Sequence, residues 1–264
     1  MQKTILLTGA TDGIGLATAK MLLEQGHTVL LHGRNAAKLE AVANDLSSLS
    51  GGGRTESYIA DLSDMNDVEA LAKAIAEKHD TLDVLINNAG ILKTPEPVTK
   101  DGLDIRFVVN TLAPYLLTQR LMPLLGTTGR VVNLSSAAQA PVDVKAIAGG
   151  VPMDDMGAYA QSKLAITMWS RAMAQAHPDG PMVVAVNPGS LLASKMVVEG
   201  FGVAGNDINI GADILVRAAL SDEFTDASGK YFDNDSGRFA PPHPDGLDDE
   251  KIAEVISAIE AVLA

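Results

Sequence analysis

The sequence contains no cysteine. That absence excludes disulfides, thiolate metal sites and cysteine nucleophiles together, and it suits a reducing compartment. His27, His32, His79, His177 and His243 show no ligand spacing, so no metal site is expected. No apolar run approaches the roughly 20 residues needed to cross a bilayer. The apolar stretch after Lys3 is too short for a signal-peptide core, and a glycine-rich turn follows it at once. The expectation is a soluble, cytoplasmic protein with no membrane partner. Basic residues are few: 20 Lys and Arg against 33 Asp and Glu leave a formal charge of −13. General binding to nucleic acid is therefore not expected, and the acidic surface serves solubility.

What is present is an alternation. Apolar, β-branched runs at Thr4–Thr8, Thr28–Leu31, Ser57–Ala60, Val84–Ile86, Val131–Leu134 and Met182–Val186 read as strands. Segments with a 3.6-residue period, such as Leu16–Glu24, Val68–Lys78 and Leu164–Ala176, lie between them. Continuous rather than alternating apolar strands indicate a parallel sheet covered on both faces. Repeated βα units predict an α/β fold: a single-domain, Rossmann-type doubly wound parallel sheet in three α/β/α layers over residues 1–264. Two irregular stretches, 137–157 and 189–206, follow strands on the carboxyl edge, where open α/β sheets bind ligands. The tail 247–264 reads as an amphipathic helix that packs on the body or on a partner subunit.

The first strand runs into Thr8-Gly9-Ala10-Thr11-Asp12-Gly13-Ile14-Gly15 and then into a helix. Glycines there let backbone approach a pyrophosphate, and the helix N-terminus offers unpaired N–H groups to an anion. The second strand ends in His32-Gly33-Arg34-Asn35. Gly33 stands where NAD-binding sheets carry an acid for the adenosine ribose. Arg34 offers a planar fork of donors to a 2′-phosphate, or a surface that stacks on adenine in either cofactor class. These features favour NADP(H), with NAD(H) as the alternative. Tyr159 and Lys163, four residues apart, share one face of a helix. A free phenol is a poor base at neutral pH, and a close ammonium would lower its pKa.

The glycine spacing Thr-Gly-x-x-x-Gly-Ile-Gly resembles that of the short-chain dehydrogenase/reductase family. So do Asn87-Asn88-Ala89-Gly90, Asn110, Ser135-Ser136, Tyr159-Ala160-Gln161-Ser162-Lys163 and Asn187-Pro188-Gly189, in the same order. The resemblance runs from Thr8 to about Phe232 and fits the classical branch. It implies hydride transfer between a nicotinamide and a carbonyl/alcohol pair. Tyr159 would be the general acid/base, Ser136 would polarise the substrate oxygen, and Lys163 would tune Tyr159 and hold the nicotinamide ribose. Asn110 would support the proton route. Gly9, Thr11, Asp12, Gly13, Ile14, Gly15, Arg34 and Asn35 would bind the dinucleotide. Asp61 and Leu62 would contact adenine, although Asp61 alone also reads as a helix cap. Asn88, Ala89, Gly90, Pro188 and Gly189 would line the nicotinamide half.

Two departures stand out. Ala193 occupies the position where the family often has threonine, so Ser190 or Ser194 is left to replace that hydroxyl. The segment between Ser136 and Tyr159 is long, as in retinol-dehydrogenase-like members. Leu191, Leu192, Met196, Val197, Val198 and Phe201 either line a pocket for an apolar carbonyl or alcohol substrate or pack on the core. The resemblance also implies a homodimer or homotetramer. Two other classes stay open: a nucleotide-binding regulator without redox turnover, and an epimerase or dehydratase of the same fold.

Overall fold

The apolar runs form strands that are buried on both faces. A computed structural model describes residues 1–264, the side chain of Phe201 excepted. In chain order, β1 (Thr4–Leu7), α1 (Gly13–Glu24), β2 (Thr28–Gly33), α2 (Ala36–Ser47), β3 (Arg54–Ile59), α3 (Met65–Lys78) and β4 (Val84–Asn87) build the first half. The second half begins with a long helix in three parts: α4 (Ile105–Phe107), a π-helical turn (Val108–Leu112) and α5 (Ala113–Leu125). Then come β5 (Arg130–Leu134), α6 (Val144–Ile147), α7 (Asp155–Ala176), β6 (Met182–Asn187), α8 (Lys195–Phe201) and α9 (Ile208–Leu220). The chain ends with β7 (Tyr231–Asp233), β8 (Arg238–Phe239) and α10 (Asp249–Leu263).

The eight strands form one sheet in the order β3-β2-β1-β4-β5-β6-β7-β8. All neighbours are parallel except β7 and β8. Leu6, Leu30, Leu85, Val131 and Val183 pack under α3, α5 and α7. Their strand neighbours Ile5, Leu7, Val29, Leu31, Val132 and Val184 point the other way, toward α1 and α9. This is the three-layer arrangement expected from the sequence. The order reverses at β1, which pairs with β2 on one side and β4 on the other. A crevice opens there at the carboxyl ends of the strands.

Several boundaries differ from the sequence reading. β3 starts three residues before Ser57, because this edge strand carries the polar residues Arg54, Thr55 and Glu56. The short hairpin β7–β8 has no counterpart in the sequence reading. A π turn ends two residues before Pro114. Proline lacks the N–H that would bond the Asn110 carbonyl four residues back, and the chain widens at that point. The stretch 137–157 is partly core, with Ala146 and Ile147 of α6 fully buried. The tail helix is capped by Asp248 and buries Ile252, Val255 and Ile259 against the body. Among the described residues, no helix is long and apolar enough to cross a membrane.

Arg106 joins the long helix to α7. Its guanidinium is 1% exposed, and Nε donates to Asp104 Oδ1 at 2.8 Å. It also donates to Asp155, the first residue of α7. Removing one partner of a buried ion pair leaves an uncompensated charge and costs about 3–5 kcal/mol. Arg106→Ala should lose about that much in denaturant unfolding, whereas Asp155→Asn, at an exposed carboxylate, should lose about 1 kcal/mol or less.

Candidate active site

Each element of the site sits where a strand runs out at the carboxyl edge. After β1 the chain turns at Gly9, whose φ is +66°. A Cβ on Gly15 would lie 2.1 Å from the Gly9 carbonyl oxygen, so only glycine fits there. Asn88, after β4, braces this turn from across the crevice. Its Nδ2 donates to Thr8 O at 2.8 Å and to Gly9 O at 3.1 Å. The Thr8 hydroxyl in turn accepts from the Asn88 and Ala89 amides at 3.0 and 3.1 Å. A Cβ on Gly13 would have Ser194 Cβ as its nearest neighbour, 3.6 Å away. Beyond the Asp12 cap on the Gly13 amide, the approach to the N-terminus of α1 runs over the glycine backbone of the turn, a cradle that fits a pyrophosphate. Ile14 lies partly buried against Gly211.

The adenosine side is built by β2 and β3. A Cβ on Gly33 would meet Thr11 Cγ2 at 2.7 Å, so a side chain at that position would require the Thr11 side chain to move. Arg34 is exposed at the strand end, and Asn35 caps α2 by accepting from the Lys38 amide at 2.9 Å. Asp12 caps α1, and its carboxylate takes a 2.6 Å bond from the Lys38 ammonium, which holds its pKa below the usual range. Asp61 is not the helix cap that its position alone suggested. It accepts from the Ser63 amide and hydroxyl, and Asp64 caps α3. Leu62 is buried.

The catalytic candidates converge from three elements. Ser136, just beyond β5, lies near enough to the Tyr159 phenol to draw its pKa down, and its hydroxyl accepts from the Ala138 amide at 3.1 Å. Ser135 is buried and turned toward α7, bonding Thr167 Oγ1 at 2.7 Å. Lys163 is buried one turn below Tyr159, with Nζ 5.6 Å from the phenol ring centroid and donating to Leu134 O at 2.8 Å. Asn110 lies in the π turn, where its side chain bonds both backbone groups of Ile91 at 2.8 and 2.9 Å and Ser162 Oγ at 3.0 Å. A Cβ on Gly90 would stand 3.3 Å from both Asn110 Oδ1 and Lys163 Nζ, so these groups meet at one point.

The electrostatics depart from the sequence reading. Burial pushes the Tyr159 phenol above its ordinary pKa, and the nearby Ser136 hydroxyl only partly offsets this. Burial lowers Lys163 to about 8. The ammonium is aimed at a carbonyl rather than the phenol, so desolvation outweighs the expected lowering.

At the other end of the crevice, Pro188 is buried and Gly189 has φ +120°. Of the two serines left to replace the missing threonine, Ser190 donates to Asp235 Oδ2 at 2.6 Å. Ser194 caps α8 and faces the glycine turn. The apolar residues beyond are divided. Leu192 and Val197 are buried, Leu191 and Val198 are exposed, Met196 is intermediate, and the Phe201 side chain lies outside the described residues.

Other contributors carry no local sequence signal. Gln139 Nε2 and Tyr231 Oη both donate to the Ser136 carbonyl, at 2.9 and 3.1 Å. Gln139 Oε1 also accepts from the His243 amide at 2.8 Å. Asp235 holds the turn after β6 by accepting from the Ser190 amide at 2.8 Å and from Asn187 Nδ2 at 2.9 Å. Most of these contacts span tens of residues in sequence, so only the fold exposes them.

Comparison with known proteins agrees with this geometry. The sequence profile of the short chain dehydrogenase family matches residues 3–200. Human retinol dehydrogenase 13 is 30% identical over 288 aligned residues, covering 99% of this chain and 84% of that protein. A solved protein of Mycobacterium paratuberculosis superposes with a TM-score of 0.79 at 28% identity, over 98% of this chain and 92% of that one. A short chain dehydrogenase of Burkholderia cenocepacia, solved in complex with NADP, superposes with a TM-score of 0.71 at 28% identity, over 89% of this chain and 97% of that one. With this profile match, fold and site order, the chain belongs to the short-chain dehydrogenase/reductase family of NAD(P)-dependent oxidoreductases, in its retinol-dehydrogenase-like branch.

Proposed function

We propose that this chain reduces an apolar ketone or aldehyde to its alcohol with NADPH, Tyr159 delivering the proton. The observation that carries the proposal is the convergence of Ser136, the Tyr159 phenol and buried Lys163 beyond the end of β5, with Lys163 Nζ 5.6 Å from the phenol ring centroid and meeting Asn110 beside Gly90. The dinucleotide, when bound, supplies hydride from nicotinamide C4. Ser136 and Tyr159 would each hydrogen-bond the substrate oxygen as negative charge builds on it. A phenol kept protonated by burial suits proton donation in the reductive direction. Lys163 would hold the nicotinamide ribose hydroxyls beside Gly90, and Asn110 would orient that corner.

The preference for NADPH is supported by exposed Arg34 and by glycine, rather than an acid, at position 33. The glycine turn, with Asp12 and Ile14, would cradle the pyrophosphate. Thr11, Asn35, Asp61 and Leu62 would frame the adenosine. Asn88–Gly90, Pro188 and Gly189 would flank the nicotinamide, and Ser194 would replace the family threonine. Exposed Leu191, Val198 and Val203 support an apolar substrate. A single catalytic domain over residues 1–264, acting as a homodimer or homotetramer, completes the reading.

Tyr159→Phe removes only the hydroxyl. Its kcat should fall about a thousandfold, with NADPH affinity within about twofold of wild type; turnover near wild type would refute the assignment. Arg34→Ala should lower the ratio of kcat/KM for NADPH over NADH by about tenfold or more, one charge-assisted hydrogen bond's worth. An unchanged ratio would clear Arg34 of that role. Lys163 makes a pH prediction. The folded lysine loses its proton near 8, the unfolded one only near about 10.4, so folding gains stability as pH rises between those values. Unfolding free energy of wild type minus that of Lys163→Met should therefore increase across this window; a flat difference would show that Lys163 is not desolvated.

A further inference from the structure

We propose that His32, as the neutral imidazole, is the positioning residue that holds the glycine turn of the dinucleotide site in shape. His32 is the penultimate residue of β2 and is 3% exposed. The Gly9 amide donates to its Nδ1 at 3.2 Å. Its Nε2 lies 3.1 Å from the Ala60 carbonyl oxygen, just before Asp61 and Leu62. The backbone adds a third tie, from the Ala10 amide to the His32 carbonyl at 2.9 Å.

The two ring contacts determine the tautomer. An amide N–H can only donate, so Nδ1 must be bare; a carbonyl can only accept, so Nε2 must carry the hydrogen. Only neutral imidazole with its proton on Nε2 meets both demands. Protonation would set an N–H against the Gly9 N–H and remove that amide's acceptor. One ring thus ties the turn expected to hold pyrophosphate to the edge expected to hold adenine. No aliphatic side chain could make both bonds.

The charged and titratable neighbours leave the ring neutral. Asp61, after β3, favours the cation, but burial outweighs it and pushes the imidazole below its ordinary pKa. From α3, Asp67 accepts from the Asp61 amide at 2.9 Å, and Asp64 is paired with Lys100. On β3, in register with His32, Tyr58 has its hydroxyl at Glu56 and His79. In the glycine turn Asp12 is paired with Lys38, and Arg34 stands exposed two residues along.

This inference rests on the turn being a dinucleotide site, and its test separates the two ideas. The probes are NADPH titration and amide hydrogen exchange at Gly9 in the nucleotide-free protein. His32→Leu removes the acceptor. The Kd for NADPH should rise about tenfold and Gly9 exchange should speed up, with kcat at saturating NADPH within about twofold. His32→Asn keeps an oxygen near the Nδ1 position but cannot titrate. Its Kd near neutral pH should stay within about threefold of wild type. Where pH falls far enough to protonate His32, wild-type Kd should rise relative to His32→Asn, a ratio in which the ligand's own titration cancels. A His32→Leu variant with wild-type Kd and wild-type Gly9 exchange would overturn the proposal. If that variant does not fold, imidazole nitrogen-15 shifts that place the His32 proton on Nδ1 in the wild type near neutral pH would overturn it instead. A wild type that binds neither dinucleotide would refute the reading of the turn, and Gly9 exchange would still decide whether His32 holds it.

Discussion

Asn88 reaches from the end of β4 to the carbonyls of Thr8 and Gly9 at the end of β1, while the Thr8 hydroxyl takes two amides in return. These bonds span the point at which the sheet order reverses, and the site is arranged around them. On one side they hold the glycine turn open over the N-terminus of α1. On the other they hold Gly90 against the corner where Asn110 and Lys163 meet. The same segment begins with Asn87, whose Nδ2 bonds Asn133 at 2.8 Å and Thr118 at 3.1 Å, so the brace continues into β5 and α5. A crevice that must accept a long, flexible ligand is in this way built on rigid strand ends rather than on free loops.

The chemistry follows from what burial does to two groups. Moving a phenol and an ammonium out of water favours the neutral form of each. For Tyr159 that means a retained proton, which under the proposed mechanism would pass to a developing alkoxide. For Lys163 it means an ammonium that keeps its charge at neutral pH with little margin, steadied by the Leu134 carbonyl. Ser136 is fixed from behind by Gln139 and Tyr231, and through Gln139 by the chain near His243. The C-terminal segment therefore shapes the catalytic corner without contributing a reacting group.

Much of this was legible in the sequence, for definable reasons. Central strands such as β5 and β6 are apolar over most of their length because both faces are covered, and such runs announce themselves. The glycines at 9 and 15 are dictated by backbone approach, and the Tyr159–Lys163 spacing by one helical turn. The edges were less visible. β3 begins in polar residues because its outer side is solvated, and the β7–β8 hairpin is too short to leave a period. The π turn at Asn110 was hidden because only the pairing pattern reveals it. His32, Gln139, Tyr231 and Asp235 were hidden for another reason: each acts through a partner far away in sequence, and a lone polar residue carries no mark of that. The pKa of Tyr159 was misjudged because spacing shows that an ammonium is near but not which carbonyl it points to.

The central claim is that hydride passes directly to a carbonyl carbon in this crevice while the protein supplies the proton. Incubation with NADPH deuterated at nicotinamide C4, on the transferred face, and a panel of apolar ketones and aldehydes tests it by mass spectrometry of the products. The account predicts an alcohol carrying one deuterium on the carbinol carbon, with one equivalent of NADP formed. An alcohol without the label, or a bound dinucleotide with no carbonyl of the panel reduced, would contradict it.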